Sequence, residues 1–332
     1  MFRYSHLFSN RILIAVTSVL MLVTGFLYFA QNQGSQEIDY SVILRTARYS
    51  NLEKNNHVSR LTSSFICSDK QIKLLIIVSS TISNFKRRKI IRITWGKDGF
   101  SYRNHDFRTL FAVGKSGNNH TMHELERESV IYKDIIQGNY SDNLFNLSYK
   151  METILEWAYK YCKFDYLLKL NDDVFVNLSQ LFHLLSKKEL PKNKLYMGRI
   201  KSNMKVSREG KYAVSFEDYS ADYYPPYCDG SAFIMSYDVV KEIIPYLWKQ
   251  PIKTDDAYVA ILIANLGIKP SEEKKFKGSQ SSCTLDDSAI TLRFIATREH
   301  SSPTCMLQLF YTMLAKNVED TFIRFHYIPR VR

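Results

Sequence analysis

FDYLLKLNDDVFVNLS, residues 164–179, holds an apolar run that stops at Asn171-Asp172-Asp173 and resumes at once with Val174-Phe175-Val176. DYLLKL (165–170) has the make-up of a sheet strand, and LSQLFHLLSKK (178–188) repeats apolar residues at helical spacing. Two adjacent carboxylates between such segments are costly to desolvate unless something compensates them. Two structural readings compete: Asp173 or Asn177 caps the helix that starts near Leu178, or the acidic pair sits in salt bridges. The third reading is functional. Apolar residues flank the carboxylates on both sides, so they are set against core rather than in an exposed loop, as ligands of a hard cation are.

Outward from this stretch, strands alternate with helices. KLLIIVSS (73–80) is a continuous apolar run, the pattern of a strand buried on both faces. NFKRRKIIRITW (84–95) reads as a helix, with Phe85, Ile90, Ile91 and Ile93 available for one face. FRTLFAV (107–113) reads as a second strand, and MHELERESVIYKDII (122–136) as a helix followed by a turn at Gly138-Asn139. LSYKMETILEWAYKYC (147–162) is an amphipathic helix with Met151, Ile154, Leu155, Ala158 and Cys162 three or four residues apart. The alternation predicts an α/β domain with a largely parallel sheet. In such sheets ligands bind outside the carboxyl ends of the strands, and Asn171-Asp172-Asp173 lies at one such end. No internal repeat or low-complexity tract appears in the chain.

Composition and the N-terminus add context. The 332-residue chain is 45% hydrophobic and 14% aromatic, enough for a substantial core and against disorder. A net charge of +12 points to acidic partners: nucleic acid, an anionic membrane surface or a phosphorylated substrate. The basic residues are scattered and the clusters KRRK (86–89) and KKFK (274–277) are short, so no nucleic-acid partner is expected. ILIAVTSVLMLVTGFLYFA (12–30) carries no charge and is close to the roughly 20 residues that span a bilayer. A cleavable signal peptide has an apolar stretch of about 7–15 residues and a small-x-small site. Here the run is longer and Tyr28 stands at a small position, so an uncleaved anchor is expected. Arg3 and Arg11 precede it, whereas Glu37 and Asp39 follow, which orients the N-terminus to the cytosol. The expected organisation is a cytoplasmic tail (1–11), a span (12–30), a polar stem (31–65) and a lumenal globular domain (66–332). Sequons at Asn119, Asn139, Asn146 and Asn177 agree with that orientation. Five cysteines without CxxC spacing argue for disulfides rather than zinc, with one thiol left over.

A hard cation suits a phosphate ligand, yet neither GxxxxGK[ST] nor a GxGxxG after a strand is present. A nucleotide would then be held by metal and basic side chains, the logic of nucleotide-sugar transferases. Five segments carry a closer resemblance: RRKIIRITWG (87–96), DIIQGNYSDNLFNLSYKM (134–151), LLKLNDDVFVN (167–177), YYPPYCDGSAFIMS (223–236) and TDDAYVAILIANLGI (254–268). In order and spacing, over about residues 72–270, the chain resembles the β1,3-galactosyltransferase/β1,3-N-acetylglucosaminyltransferase family of Golgi type II membrane enzymes. The resemblance implies a GT-A-like, Rossmann-type nucleotide-sugar transferase domain and a UDP-sugar donor. It also implies Mn²⁺ (or Mg²⁺), inversion at the anomeric carbon, and a glycan acceptor on glycoprotein or glycolipid. Self-association is left open.

Roles follow from the matching positions. Asp173 is expected to hold the metal, Asp172 to contact the ribose or a metal-bound water, and Asn171 to accept from donor hydroxyls where the family has Asp. Asp256 is expected to be the general base, with Asp255 beside it; both also read as the cap of the helix that begins there. Arg87, Arg88 and Arg92 are expected to hold phosphate, against a rival reading as helix-surface salt bridges. Gly230 is expected to allow close backbone approach to the sugars. Trp95 reads as core, and Cys162 and Cys228 as structural. Asn171, Ser231, Ala232 and Ala260 depart from the family pattern, which keeps a non-catalytic glycan binder as the rival to an active transferase; the basic charge adds a binder of anionic glycans.

Overall fold

The computed structural model describes residues 67, 71–97, 106–247, 251–280, 282–294 and 302–326; the expected tail, span and stem lie outside them. Among the described residues no helix is long and apolar enough to cross a membrane. The elements run β1 (Ile72–Ser79), α1 (Phe85–Ile93), β2 (Phe107–Lys115), α2 (Asn119–Tyr132), β3 (Ile135–Ser141), α3 (Leu147–Tyr161), β4 (Phe164–Asn171), β5 (Val174–Val176) and α4 (Leu178–Leu185). They continue with β6 (Tyr196–Lys201), β7 (Tyr227–Ser236), α5 (Tyr237–Ile243), α6 (Asp255–Asn265), β8 (Ser271–Glu272), β9 (Phe276–Gln280), β10 (Thr291–Phe294) and α7 (Ser302–His326).

Seven strands form one sheet in the order β3-β2-β1-β4-β7-β6-β8. β3, β2, β1 and β4 are parallel, and within this sheet β7 runs against the others. The largely parallel sheet expected from the sequence is therefore present. A smaller sheet, β5-β10-β9, lies beside the chain's return from β4. Alternation along β1 divides the core between two faces. Leu75 and Ile77 pack with α3, α5 and α6, while Leu74, Ile76 and Val78 pack with α1, α4 and α7. The helix stripe Met151, Ile154, Leu155, Ala158 and Cys162 is buried as the spacing requires. Trp95 is core, as expected.

One element is corrected. Ile135 and Ile136 do not extend a helix through residue 136; they start the edge strand β3, which also contains Gly138-Asn139. Helix α2 stops at Lys133, whose left-handed φ of 57° ends it without a glycine, so no breaker marks the boundary in the sequence.

Cys67–Cys162 ties the segment before β1 to the end of α3, and Cys283–Cys305 ties the approach to β10 to α7. Cys228, in β7, is a buried free thiol. Asn177 settles the capping question: its side chain accepts from the Gln180 amide at 3.3 Å and caps α4. Only 7% exposed, Asn177 has no room for a sugar on its amide nitrogen. Peptide mapping of the chain made in a secretory host is expected to find Asn177 unmodified; a glycopeptide carrying sugar there would refute this.

Candidate active site

The order β2-β1-β4 places a switch point between β1 and β4, because the chain leaves β1 towards β2 on one side and finds β4 on the other. Ligands of open α/β sheets bind outside the carboxyl ends at such a point. Ser79 pairs with Asn171 across it, so the residues after each strand face the same crevice. There Asp172 ties the two strand ends together. Its Oδ2 accepts from Ser80 Oγ at 2.7 Å, Asn84 Nδ2 at 2.9 Å and the Thr81 amide at 3.4 Å, and its Oδ1 accepts from Arg87 Nη1 at 2.7 Å. A carboxylate offers about four acceptor sites, so Oδ1 keeps one lone pair beyond Arg87.

Asp173 faces differently. Its Oδ2 accepts from Arg293 Nε of β10 at 3.0 Å, whereas Oδ1 is buried with no hydrogen-bond partner among the described residues. A buried carboxylate oxygen with no partner is costly unless a cation or donor meets it. Among the described residues no cluster of three or more His, Cys, Asp or Glu could cage a metal. One free carboxylate oxygen nevertheless fits the mode in which a divalent cation takes one or two carboxylates and completes its shell with substrate phosphates and water.

The arginines of α1 separate. Arg87 is partly exposed and is engaged through Nη1 alone among the described residues. Arg88 and Arg92 correct the expectation of phosphate contact. Arg88 is fully buried; Nε and Nη2 grip Glu128, Nη1 reaches Ser80 Oγ and the Thr81 carbonyl, and Nη2 also reaches the Ile82 carbonyl. All five of its N–H donors are consumed. Arg92 is bidentate to Asp134 at 2.7 and 2.8 Å, bonds Glu128 at 2.6 Å, and lies against the rings of Phe111 and Tyr132. Both hold the scaffold behind the crevice.

The second half of the site comes from β7 and α6. Because β7 opposes β4, its first residues lie at the carboxyl edge, and Gly230 meets the start of α6. Thr254 occupies the cap position of α6, so Asp255 and Asp256 stand in the first turn rather than at the cap. Asp256, 8% exposed, accepts from the Gly230 amide at 3.2 Å through Oδ2 and from the Ala257 amide at 3.0 Å through Oδ1. Burial and the neighbouring Asp255 carboxylate raise its pKa above the ordinary Asp value, while Lys201 and Lys169 pull the other way. Gly230 is needed here for a different reason than expected. A Cβ at Gly230 would lie 3.0 Å from the Asp256 Cβ and 3.2 Å from its Oδ2, so the glycine makes room for that carboxylate.

Lys169 joins the two halves, and sequence reasoning assigns it no role. It is 1% exposed, and its ammonium donates to the Gly230 carbonyl at 2.8 Å, Asp255 Oδ2 at 3.0 Å and Asn171 Oδ1 at 3.4 Å. The one available signal is a single lysine inside the apolar strand DYLLKL. Asp229 is likewise missed by the sequence reading. Burial would raise its pKa, but the Ser231 hydroxyl and amide, then Lys201 and Arg199, hold it well below the usual carboxylate range. Ser231 thus serves Asp229, while Ala232 and Ala260 are buried in the core.

Comparison with known proteins gives a consistent picture. The family model described as Galactosyltransferase matches residues 86–274. The chain is 32% identical over 272 residues to Beta-1,3-galactosyltransferase 9 of Homo sapiens, covering 79% of this chain and 73% of that one. It is 34% identical over 215 residues to Beta-1,3-galactosyltransferase 5 of Mus musculus, covering 62% and 68%. It is also 30% identical over 229 residues to Lactosylceramide 1,3-N-acetyl-beta-D-glucosaminyltransferase A of Danio rerio, covering 64% and 59%.

Proposed function

Since the chain belongs to the galactosyltransferase family, and is thereby a hexosyltransferase using a nucleotide-sugar donor, we propose that it moves galactose from UDP-galactose to the 3-hydroxyl of a glycan acceptor with inversion. The observation that carries this reading is the pairing of a buried, raised-pKa Asp256 with the unpartnered Asp173 oxygen on one sheet edge. Asp256 takes the proton from the acceptor hydroxyl as that oxygen bonds to the anomeric carbon. The bond from that carbon to the diphosphate oxygen breaks, and its electron pair leaves with UDP. An inverting transfer of this kind needs one base and, given charge compensation at the leaving group, no acid, unlike an inverting glycosidase. Asp173 would hold Mn²⁺ or Mg²⁺, with Asp172 Oδ1 available to a metal-bound water or the ribose. When bound, the metal supplies positive charge at the departing diphosphate. Arg87 offers further donors there, and Asn171 accepts from sugar hydroxyls.

N-acetylglucosamine is the second donor reading, supported by the similarity to the Danio rerio enzyme. The retained Asp173 and Asp256 favour turnover over glycan binding alone. The acceptor is assigned to a glycoprotein or glycolipid. The apolar run at 12–30, the basic residues before it and two disulfides support a single-pass Golgi membrane protein with its catalytic domain in the lumen.

UDP release by the full-length chain, scanned over UDP-sugars and acceptors with and without Mn²⁺, tests the reading. Asp173→Asn is expected to lower metal-dependent turnover by about 10²-fold, the effect of losing roughly 3 kcal/mol of leaving-group stabilisation. Unchanged turnover and metal dependence would remove Asp173 from the site.

A further inference from the structure

Lys201, the last residue of β6, is shared between two buried carboxylates on either side of Gly230. Its ammonium lies 3.1 Å from Asp229 Oδ2 and 3.5 Å from Asp256 Oδ2. Asp229 is built to hold it. Oδ1 is fixed by the amide and hydroxyl of Ser231, and Oδ2 accepts from Arg199 Nη2 at 2.7 Å. These partners all lie on β6 and β7, so the packing of α6 does not explain a second buried carboxylate here.

We propose that Asp229 is a positioning residue that shares Lys201 with Asp256, so that the ammonium's ion pair passes to Asp229 as Asp256 takes up the acceptor proton. This rests on Asp256 being the base. Before transfer, Asp229 and Asp256 balance Arg199 and Lys201. The acceptor O–H bond breaks, its proton goes to the Asp256 carboxylate, and the oxygen's electrons form the new bond to the anomeric carbon. Asp256 is then neutral and no longer attracts Lys201. The Lys201 side chain is 33% exposed, so solvent carries part of that loss. Asp229 stays ionised and already touches the same ammonium, so the charge is met without backbone movement.

The other charged group facing Asp256 from its own helix is Asp255, which raises the Asp256 pKa; Lys169 of β4, paired with Asp255 at 3.0 Å, lowers it, and neither partner of that pair changes on transfer. From β6, β7 and the segment between them, Tyr196, Tyr227 and Tyr224 also face it, and burial keeps all three neutral at working pH. Asp229 and Lys201 are therefore the pair whose balance is free to shift.

The sharing predicts opposite effects from its two members on the pH profile of kcat/KM. The acid limb reports ionisation of Asp256, because the base must be unprotonated. Removing the Lys201 charge with Lys201→Met raises the Asp256 pKa, so the limb moves to higher pH by about one unit. Asp229→Asn keeps the shape and the Ser231 contacts but gives Lys201 wholly to Asp256, so the limb moves to lower pH and kcat falls, the base being weaker. Lys201→Arg returns the limb to its wild-type position. Shifts in the same direction, or a lowered kcat with an unmoved limb in both variants, would overturn the proposal. Full transfer by Asp256→Asn would remove the base itself, and the inference with it; loss of transfer there with unmoved limbs in the other variants would leave the base standing and sink only the sharing.

Discussion

Asp256→Asn lowers kcat by about 10²–10⁴-fold, the usual contribution of a positioned general base. Asparagine has nearly the same shape and its side-chain oxygen can still accept from a backbone amide as Asp256 does, so substrate binding is expected to change little and the loss falls on kcat rather than KM. The fold survives as well. The Asp256 pKa is raised by burial and by Asp255, so the ionised form is disfavoured in the folded state. Such a group costs stability once pH rises through its folded pKa, and relieves that cost below the unfolded value. Near neutral pH, the neutral amide removes the cost while Lys201 keeps Asp229. Asn has one acceptor oxygen where Asp256 uses both, so one amide contact is lost and offsets part of this gain; the thermal midpoint is expected to change by only a few degrees while transfer collapses. In wild type, the same sign makes activity fall as pH drops through the raised pKa, at higher pH than an ordinary Asp would give. A variant that keeps wild-type kcat would take the base assignment away from Asp256.

Arg88→Met destabilises the fold by about 3–5 kcal/mol, the cost of breaking a buried ion pair from one side. Glu128 keeps Arg92 at 2.6 Å but loses three contacts to Arg88, and the Ile82 carbonyl loses the Arg88 donor, while the Thr81 carbonyl keeps the Asn84 amide at 2.9 Å. Methionine fills part of the volume and satisfies none of these groups. For a domain of this size a drop in thermal midpoint of about 10 °C is expected, read by calorimetry or near-UV circular dichroism. The phosphate role expected from the sequence makes a different forecast: an unchanged midpoint with weakened UDP binding. That outcome would return Arg88 to the donor site.

The α/β class and the switch-point crevice are legible in the sequence because they rest on long apolar runs. KLLIIVSS and DYLLKL can hardly be other than buried strands, and the carboxylates at Asp172 and Asp173 stand out against them. Edge strand β3 is not legible, since the end of α2 depends on one left-handed lysine and the helical pattern runs on through Ile136. The small sheet and β6 carry short or half-exposed strands whose pattern is weak. In the site, Asp255-Asp256 reads first as a helix cap from local sequence, and only the resemblance to a family singles it out. Arg88 looks as suited to phosphate as Arg87; its partners Glu128 and Ser80 come from separate elements that local spacing cannot bring together. Lys201 and Asp229 are hidden for the same reason, because their meaning lies in a pairing across antiparallel strands that the sequence does not announce.

The most direct test of the central claim is the product itself. The full-length chain, UDP-galactose, Mn²⁺ and a panel of N-acetylhexosamine- and hexose-terminated acceptors are incubated, and the product is analysed by proton NMR. A β-linked galactose on the 3-hydroxyl, absent with Asp256→Asn, is the predicted result. An α-linked product, or a folded chain that transfers galactose to none of the acceptors, would contradict the account.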